Sequence, residues 1–132
     1  MPESVTLTVL AGPTAVGKGT VVRRLLTLCP DIWLSVSATT RPPRPDEVDG
    51  QHYHFVDEAT FDEMVAGDAF LEWATVHGTY RYGTPAEPVR RVLAEGRPAL
   101  LEIDLAGARA VKARMPDARM VFLLPLAVAL TM

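Results

Sequence analysis

The sequence predicts an α/β fold, a parallel sheet flanked by helices. Short β-branched or apolar runs alternate with stretches of helical period along the chain. The first of those runs empties into a glycine-bearing loop, Gly12-Pro-Thr-Ala-Val-Gly17-Lys18, at the step from strand to helix.

Val5 to Ala11 is rich in β-branched residues and ends at Gly12, which makes it a strand. Val21, Val22, Leu25, Leu26 and Leu28 then recur at helical spacing until Cys29-Pro30, where proline ends the pattern. Ile32 to Ser37 reads as a second strand. Between Thr39 and Gly50, charges of both signs and the prolines Pro42, Pro43 and Pro45 predict a charged loop. Tyr53 to Val56 is a short strand, and Glu58 to Ala66 a helix closed by Gly67. Leu71 to Val76 is a strand turning at His77-Gly78. Thr84-Pro-Ala-Glu87 has the form of a capping box, which predicts a helix from Pro85 to Glu95 stopped by Gly96. Pro88 sits awkwardly there, because it removes the first intrahelical donor. Ala99 to Ile103 is a buried strand, Leu105 to Arg114 a helix ending before Pro116, and Met120 to Leu124 a further strand.

The loop is spaced as a P-loop. Its glycines let the backbone curl until successive N–H groups face one anion, and the helix beginning near Lys18 adds the positive end of its dipole. Gly12, Pro13, Thr14, Ala15, Val16, Gly17, Lys18, Gly19 and Thr20 are the residues expected to bind a nucleoside triphosphate, ATP by the resemblance given below, with Lys18 reaching the β- and γ-phosphates as a mobile point charge that the same resemblance makes catalytic. The residue after the lysine is ordinarily Ser or Thr, whose hydroxyl ligates Mg²⁺. Here it is Gly19, and Thr20 lies about 100° further round the helix.

Arg41 and Arg44 stand three residues apart in the proline-stiffened loop. Guanidinium forks match phosphate oxygens in pairs, and proline lowers the entropy lost on fixing them.

The chain has 132 residues, 48% hydrophobic and 22% charged, with a formal net charge of −3. That is one domain at most, with no global field for nucleic acid or an anionic membrane. Its longest apolar run, Val121 to Leu130, is interrupted by Pro125 and reaches about half of the roughly 20 residues that span a bilayer. Met1-Pro-Glu-Ser4 lacks the positive charge of a secretory signal, and Cys29 is the single cysteine, so a cytoplasmic setting is expected. His52 and His54 have no further ligand at a suitable spacing, and no protein metal site is expected.

From about Leu7 to Leu124 the sequence resembles guanylate kinase of the bacterial type, a P-loop nucleoside monophosphate kinase. The resemblance rests on the P-loop, on Ser37-Ala-Thr-Thr-Arg41-Pro-Pro-Arg44-Pro-Asp46-Glu47 with Asp46 where the family has glycine, on Leu-Glu-Trp at 71–73, on Tyr-Gly-Thr at 82–84 and on Glu-Ile-Asp-x-x-Gly at 102–107. It implies a P-loop NTPase-like sheet forming one domain over 1–132, with a small GMP-binding subdomain inserted at about 37–84. It also implies that Arg41, Arg44, Tyr53 and Tyr82 hold the GMP phosphate, with Arg41 and Arg44 catalytic, while Ser37, Glu72, Thr84 and Asp104 face the guanine. The implied reaction is transfer of the terminal phosphoryl of ATP to GMP, giving GDP and ADP, with Mg²⁺ accompanying ATP.

The chemistry of the base agrees. Guanine presents N1–H and a 2-amino donor beside the O6 acceptor, and so calls for carboxylates next to a hydroxyl. Adenine would turn an acceptor toward a carboxylate. Asp104, directly before a helix, is equally suited to cap it. Family members continue past the last strand into an arginine-bearing lid and closing helices. This chain instead reads Pro125 to Met132 and ends, with an apolar tail at Leu126 to Leu130, so a C-terminal part is expected to be missing and turnover to suffer. The alternatives are a catalytically impaired GMP-binding relic and a guanylate-kinase-like protein-interaction module. The P-loop lysine and the complete base pocket argue against the latter.

Overall fold

A computed structural model of the protein describes residues 6–13 and 17–124. Contacts divide the chain into two compact units, Met1–Leu34 with Val92–Met132, and Ser35–Arg91.

The first unit holds β1 (Leu7–Ala11), α1 (Lys18–Leu28) and β2 (Trp33–Leu34). The second holds β3 (Ala38–Thr39), β4 (His54–Phe55), α2 (Glu58–Ala66), β5 (Phe70–Val76) and β6 (Tyr80–Pro85). After α3 (Ala86–Ala94), the chain adds β7 (Ala99–Ile103), α4 (Leu105–Arg114) and β8 (Arg119–Phe122) to the first.

In the first unit the strands lie in the order β2-β7-β1-β8, all parallel, with Ala11 opposite Ile103 at their C-terminal ends. The apolar runs of β1 and β7 follow from burial on both faces. Leu10 and Leu100 pack with Val22 of α1 on one face, joined by Val21, Leu25 and Leu26. Val9 alternates to the other face, and α4 packs against β1 with Ala108 and Val111 buried. This is the expected parallel sheet flanked by helices. No helix among the described residues is long and apolar enough to cross a membrane.

The second unit is a mixed sheet, β4-β3-β6-β5, in which β3 and β4 are parallel and β6 runs antiparallel to both β3 and β5. One of its faces is closed by α2, whose fully buried Phe61 packs with Ala38 and Phe70. Asp57 caps α2 by accepting the Thr60 N–H at 2.7 Å, and the Thr60 side chain first, then that backbone bond, hold its carboxyl below the usual range.

Three local expectations change. Of the strand expected over Ile32–Ser37 only Trp33–Leu34 forms, as β2; the next strand, β3, begins at Ala38 in the other sheet, because the chain leaves one unit for the other between Leu34 and Ser35. The stretch before α3 is a strand: Thr84 lies opposite Glu72 in the β5–β6 ladder, and Pro85 opposite Phe70. The capping box therefore does not form, since Thr84 is engaged across the sheet and the helix begins at Ala86. That start removes the difficulty with Pro88, which becomes the third helical residue, where the N–H has no intrahelical partner in any case. The expected Val5 and the tail Leu126 to Leu130 lie outside the described residues.

Candidate functional site

The parallel sheet delivers the glycine loop to its C-terminal edge, where ligands of open α/β sheets gather. β1 ends at Ala11 and the chain turns through buried Gly12 and exposed Pro13; Thr14, Ala15 and Val16 lie outside the described residues. Gly17 re-enters with φ 93° as the N-cap of α1, a left-handed conformation open to glycine. It makes no side-chain cap, and the first turn of α1 carries no acid, so the positive helix end is not neutralised by the helix itself.

Lys18, the first residue of that helix, is 9% exposed. Its Nζ donates to the Gly12 carbonyl at 2.6 Å and to the Ile103 carbonyl at 3.2 Å. The lysine is therefore folded across its own loop onto the end of β7. Asp104 follows Ile103 and caps α4, its Oδ1 accepting the Gly107 N–H at 2.8 Å. Gly19 is helical, and Thr20 Oγ1 accepts from Arg23 Nη2 at 3.3 Å one turn along. An apolar cavity of about 370 Å³ opens on the α1 face of this sheet, lined by Leu10, Val21, Leu25, Ile32, Leu100 and Val121 among others, and includes none of the candidate residues.

In the Ser35–Arg91 unit Glu72, Tyr82 and Thr84 share one face of the sheet, with Tyr53 and Arg41 against Tyr82. Alternation along β6 sends Arg81 and Gly83 toward α2 and Tyr82 and Thr84 the opposite way. Arg81 lies over the Phe61 ring, and its Nη2 reaches Glu58 Oε2 and Asp62 Oδ1, each at 2.7 Å. Asp62 first, then Glu58, hold its guanidinium above its usual pKa. A Cβ on Gly83 would sit 2.7 Å from the Phe70 ring. Tyr82 and Thr84, on the free face, stand opposite Ala74 and Glu72 of β5.

Two groups form there. In the first, the fully buried Thr84 hydroxyl donates to Glu72 Oε1 at 2.8 Å. In the second, Arg41 lies beside the rings of Tyr53 (5.3 Å to the centroid) and Phe55 (5.9 Å), and Tyr53 meets Tyr82 edge-on with centroids 5.8 Å apart. Arg41 Nη1 and Nη2 donate to Glu47 Oε1 and Oε2, both at 2.9 Å, and Nη1 also donates to the Pro42 carbonyl at 3.0 Å. Glu47 raises the arginine above its usual range, with a smaller contribution from Tyr82. Arg41 in turn holds the Glu47 carboxyl down to about 2, assisted by the Arg44 backbone.

Arg44 joins through its N–H, donated to Glu47 Oε1 at 2.8 Å, with its side chain exposed. Ser37 precedes β3 and accepts the His54 N–H at 2.9 Å through its carbonyl. The structure thus brings Arg41, Tyr53 and Tyr82 together and pairs Glu72 with Thr84, while Asp104 belongs with Lys18 in the other unit.

Two residues of this arrangement had no assigned role in the sequence. Glu47 is the anion that organises the arginine loop, and its signal was an acid placed six residues after one arginine and three after the next. Thr39 is fully buried; its hydroxyl donates to the Arg81 carbonyl at 2.9 Å and accepts the Arg41 N–H at 3.2 Å, anchoring the loop where it leaves β3.

A family model described as guanylate kinase matches residues 4–131. The guanylate kinases of Leifsonia xyli subsp. xyli (strain CTCB07) and Thermobifida fusca (strain YX) are each 62% identical to this chain over 119 residues, covering 90% of it and 47% and 60% of their own lengths. The crystal structure of guanylate kinase from Anaplasma phagocytophilum superposes with a TM-score of 0.77 at 33% identity, over 93% of this chain and 62% of that one. The chain therefore spans about half to three fifths of the length of these curated relatives.

Proposed function

The chain belongs to the guanylate kinase family, and from that premise we propose that it takes GMP as phosphoryl acceptor and ATP as donor. The observation that carries this reading is the free face of the Ser35–Arg91 sheet, where one surface holds both an arginine–tyrosine group and a carboxylate–hydroxyl pair. The first suits a phosphate monoester, and the second suits the N1–H, 2-amino and O6 edge of guanine. Ser37 belongs to the base site in this reading, and Asp104 of the other unit is assigned to guanine by the family resemblance alone.

Lys18 and the N-terminal amides of α1 serve the donor phosphates. Lys18 Nζ donates to two carbonyls, and ATP binding would exchange those bonds for phosphate oxygens. A GMP phosphate oxygen then forms the new P–O bond while the bond from the γ-phosphorus to the β,γ-bridging oxygen breaks, releasing GDP and ADP. Arg41 and Arg44 align the acceptor and compensate its charge, which is most of what this chemistry asks of a protein.

Mg²⁺ enters with ATP as part of the substrate. The described residues do not fit a resident ion: they hold no group of three His, Cys, Asp or Glu able to bind one, Gly19 offers no side-chain oxygen, and the Thr20 hydroxyl is engaged by Arg23. A single cysteine and a slight excess of acid support a cytoplasmic enzyme that acts on nucleotides rather than nucleic acid.

The test is a coupled assay of ADP release from MgATP with GMP or AMP as acceptor. Release with GMP and none with AMP is expected. Equal rates with both would remove the guanine assignment, and no dependence on GMP would remove the transfer assignment.

A further inference from the structure

Arginine carries five N–H donors. In Arg41, Nη1 places one on Glu47 Oε1 and one on the Pro42 carbonyl, and Nη2 places one on Glu47 Oε2. Nε–H and the second Nη2–H lie side by side along one edge of the guanidinium, and the Tyr82 side chain is a further hydrogen-bonding neighbour of the group. That edge is the geometry that binds two oxygens of one oxyanion. Tyr53 and Phe55 lie beside the group, which limits its swing.

The same carboxylate reaches further. Glu47 Oε1 accepts the Arg44 N–H, and the Glu47 N–H donates to the Arg44 carbonyl at 3.0 Å, so a single side chain ties the fork of one arginine to the backbone of the other. The Arg41–Glu47 pair is shielded, its side chains 11% and 13% exposed.

We propose that Glu47 is a positioning residue for the acceptor phosphate: it occupies the end of the Arg41 fork and the Arg44 amide, and leaves the side-on edge of Arg41 for the phosphate of a nucleoside monophosphate. This rests on the assignment of Arg41 to GMP. It also makes a prediction of sign. Judged by charge alone, Glu47 opposes a phosphate, and neutralising it should tighten binding. Judged by positioning, neutralising it frees a four-rotor side chain whose ordering must then be supplied on binding, and affinity should fall.

GMP and guanosine, which differ by the phosphate, are titrated into the 132-residue chain and into Glu47→Gln, Glu47→Asp, Arg41→Ala and the Arg41→Ala/Glu47→Gln double variant. The unmodified chain is expected to bind GMP more tightly than guanosine. Glu47→Gln should weaken GMP about three- to tenfold and leave guanosine within about twofold. Glu47→Asp, which keeps the charge but shortens the reach, should lose GMP affinity as well. In the Arg41→Ala background, Glu47→Gln should change GMP binding by less than about twofold, because the group it positions is gone.

Glu47→Gln binding GMP equally or more tightly would overturn the proposal. So would parallel losses of GMP and guanosine, or an undiminished effect without Arg41. If the unmodified chain does not distinguish GMP from guanosine, the assignment of Arg41 to the phosphate fails first, and the role of Glu47 falls with it.

Discussion

The Thr84 hydroxyl donates to Glu72 Oε1 at 2.8 Å from directly across the β5–β6 ladder, so a buried hydroxyl sets the orientation of the half-buried carboxylate assigned to guanine. Thr84→Val removes that donor. It should cost about 1.5 to 3 kcal/mol of stability, the net worth of a hydrogen bond to a charged group. It should also lower GMP affinity several-fold, read by calorimetric titration beside a urea unfolding curve. Unchanged GMP affinity would take the pair out of the base site.

Arg41→Ala removes both the side-on edge and the partner of Glu47. It should weaken GMP by about 1.5 to 3 kcal/mol, the range for hydrogen bonds to charged groups, and leave ATP binding nearly unchanged. Arg44→Ala should cost less, because the bond from its backbone to Glu47 survives the substitution. A matched loss of ATP affinity in either variant would put the loop on the other nucleotide.

Gly83 lies against α2's side of the sheet, and a methyl there would approach the Phe70 ring to 2.7 Å and the Trp73 Cβ to 3.0 Å. Gly83→Ala should therefore destabilise by about 1 to 3 kcal/mol through overpacking, measured by denaturant unfolding. Its neighbours on the site face are untouched, so GMP affinity under native conditions should change little.

Glu47 links the arginine loop to pH. Its carboxyl is lowered from 4.5 to about 2 by Arg41 and the Arg44 N–H. A carboxylate whose pKa is depressed by folding favours the folded form above its unfolded value, and loses that contribution as pH falls through the folded one. Stability from this pair is thus complete above about 4.5 and fades toward 2. Carboxyl chemical shifts should show Glu47 titrating near 2, and Arg41→Ala should move the midpoint up toward 4.5.

Gly19 is helical, and a Cβ on it would meet nothing nearer than Arg23 Nη1 at 3.8 Å. Gly19→Ser should fit without strain, stabilise α1 by a few tenths of a kcal/mol to about 0.5 kcal/mol, and make ATP affinity more dependent on Mg²⁺. Thermal unfolding and nucleotide titration with and without the ion check the two effects separately.

What was legible in the sequence was local. The strand–loop–helix step at Gly12 to Lys18, the Asp104 cap and the apolar runs of β1 and β7 each depend on residues a few positions apart, so spacing and side-chain type determined them. Tertiary pairing decided the rest. Thr84-Pro-Ala-Glu87 satisfies the pattern of a helix cap, yet Thr84 is a strand residue because Glu72, twelve positions earlier, lies opposite it and takes its hydroxyl hydrogen. Ile32 to Ser37 has the composition of one strand, yet only Trp33–Leu34 is paired, as β2, because the chain then passes to the second sheet, where β3 begins at Ala38. Glu47 reads as one charge among several in a polar loop. Its role as the hub of the two arginines appears once the fold holds Arg41 between Glu47 and the rings of Tyr53 and Phe55, because a long side chain in an unfolded loop has no fixed partner and its donors are shared with water.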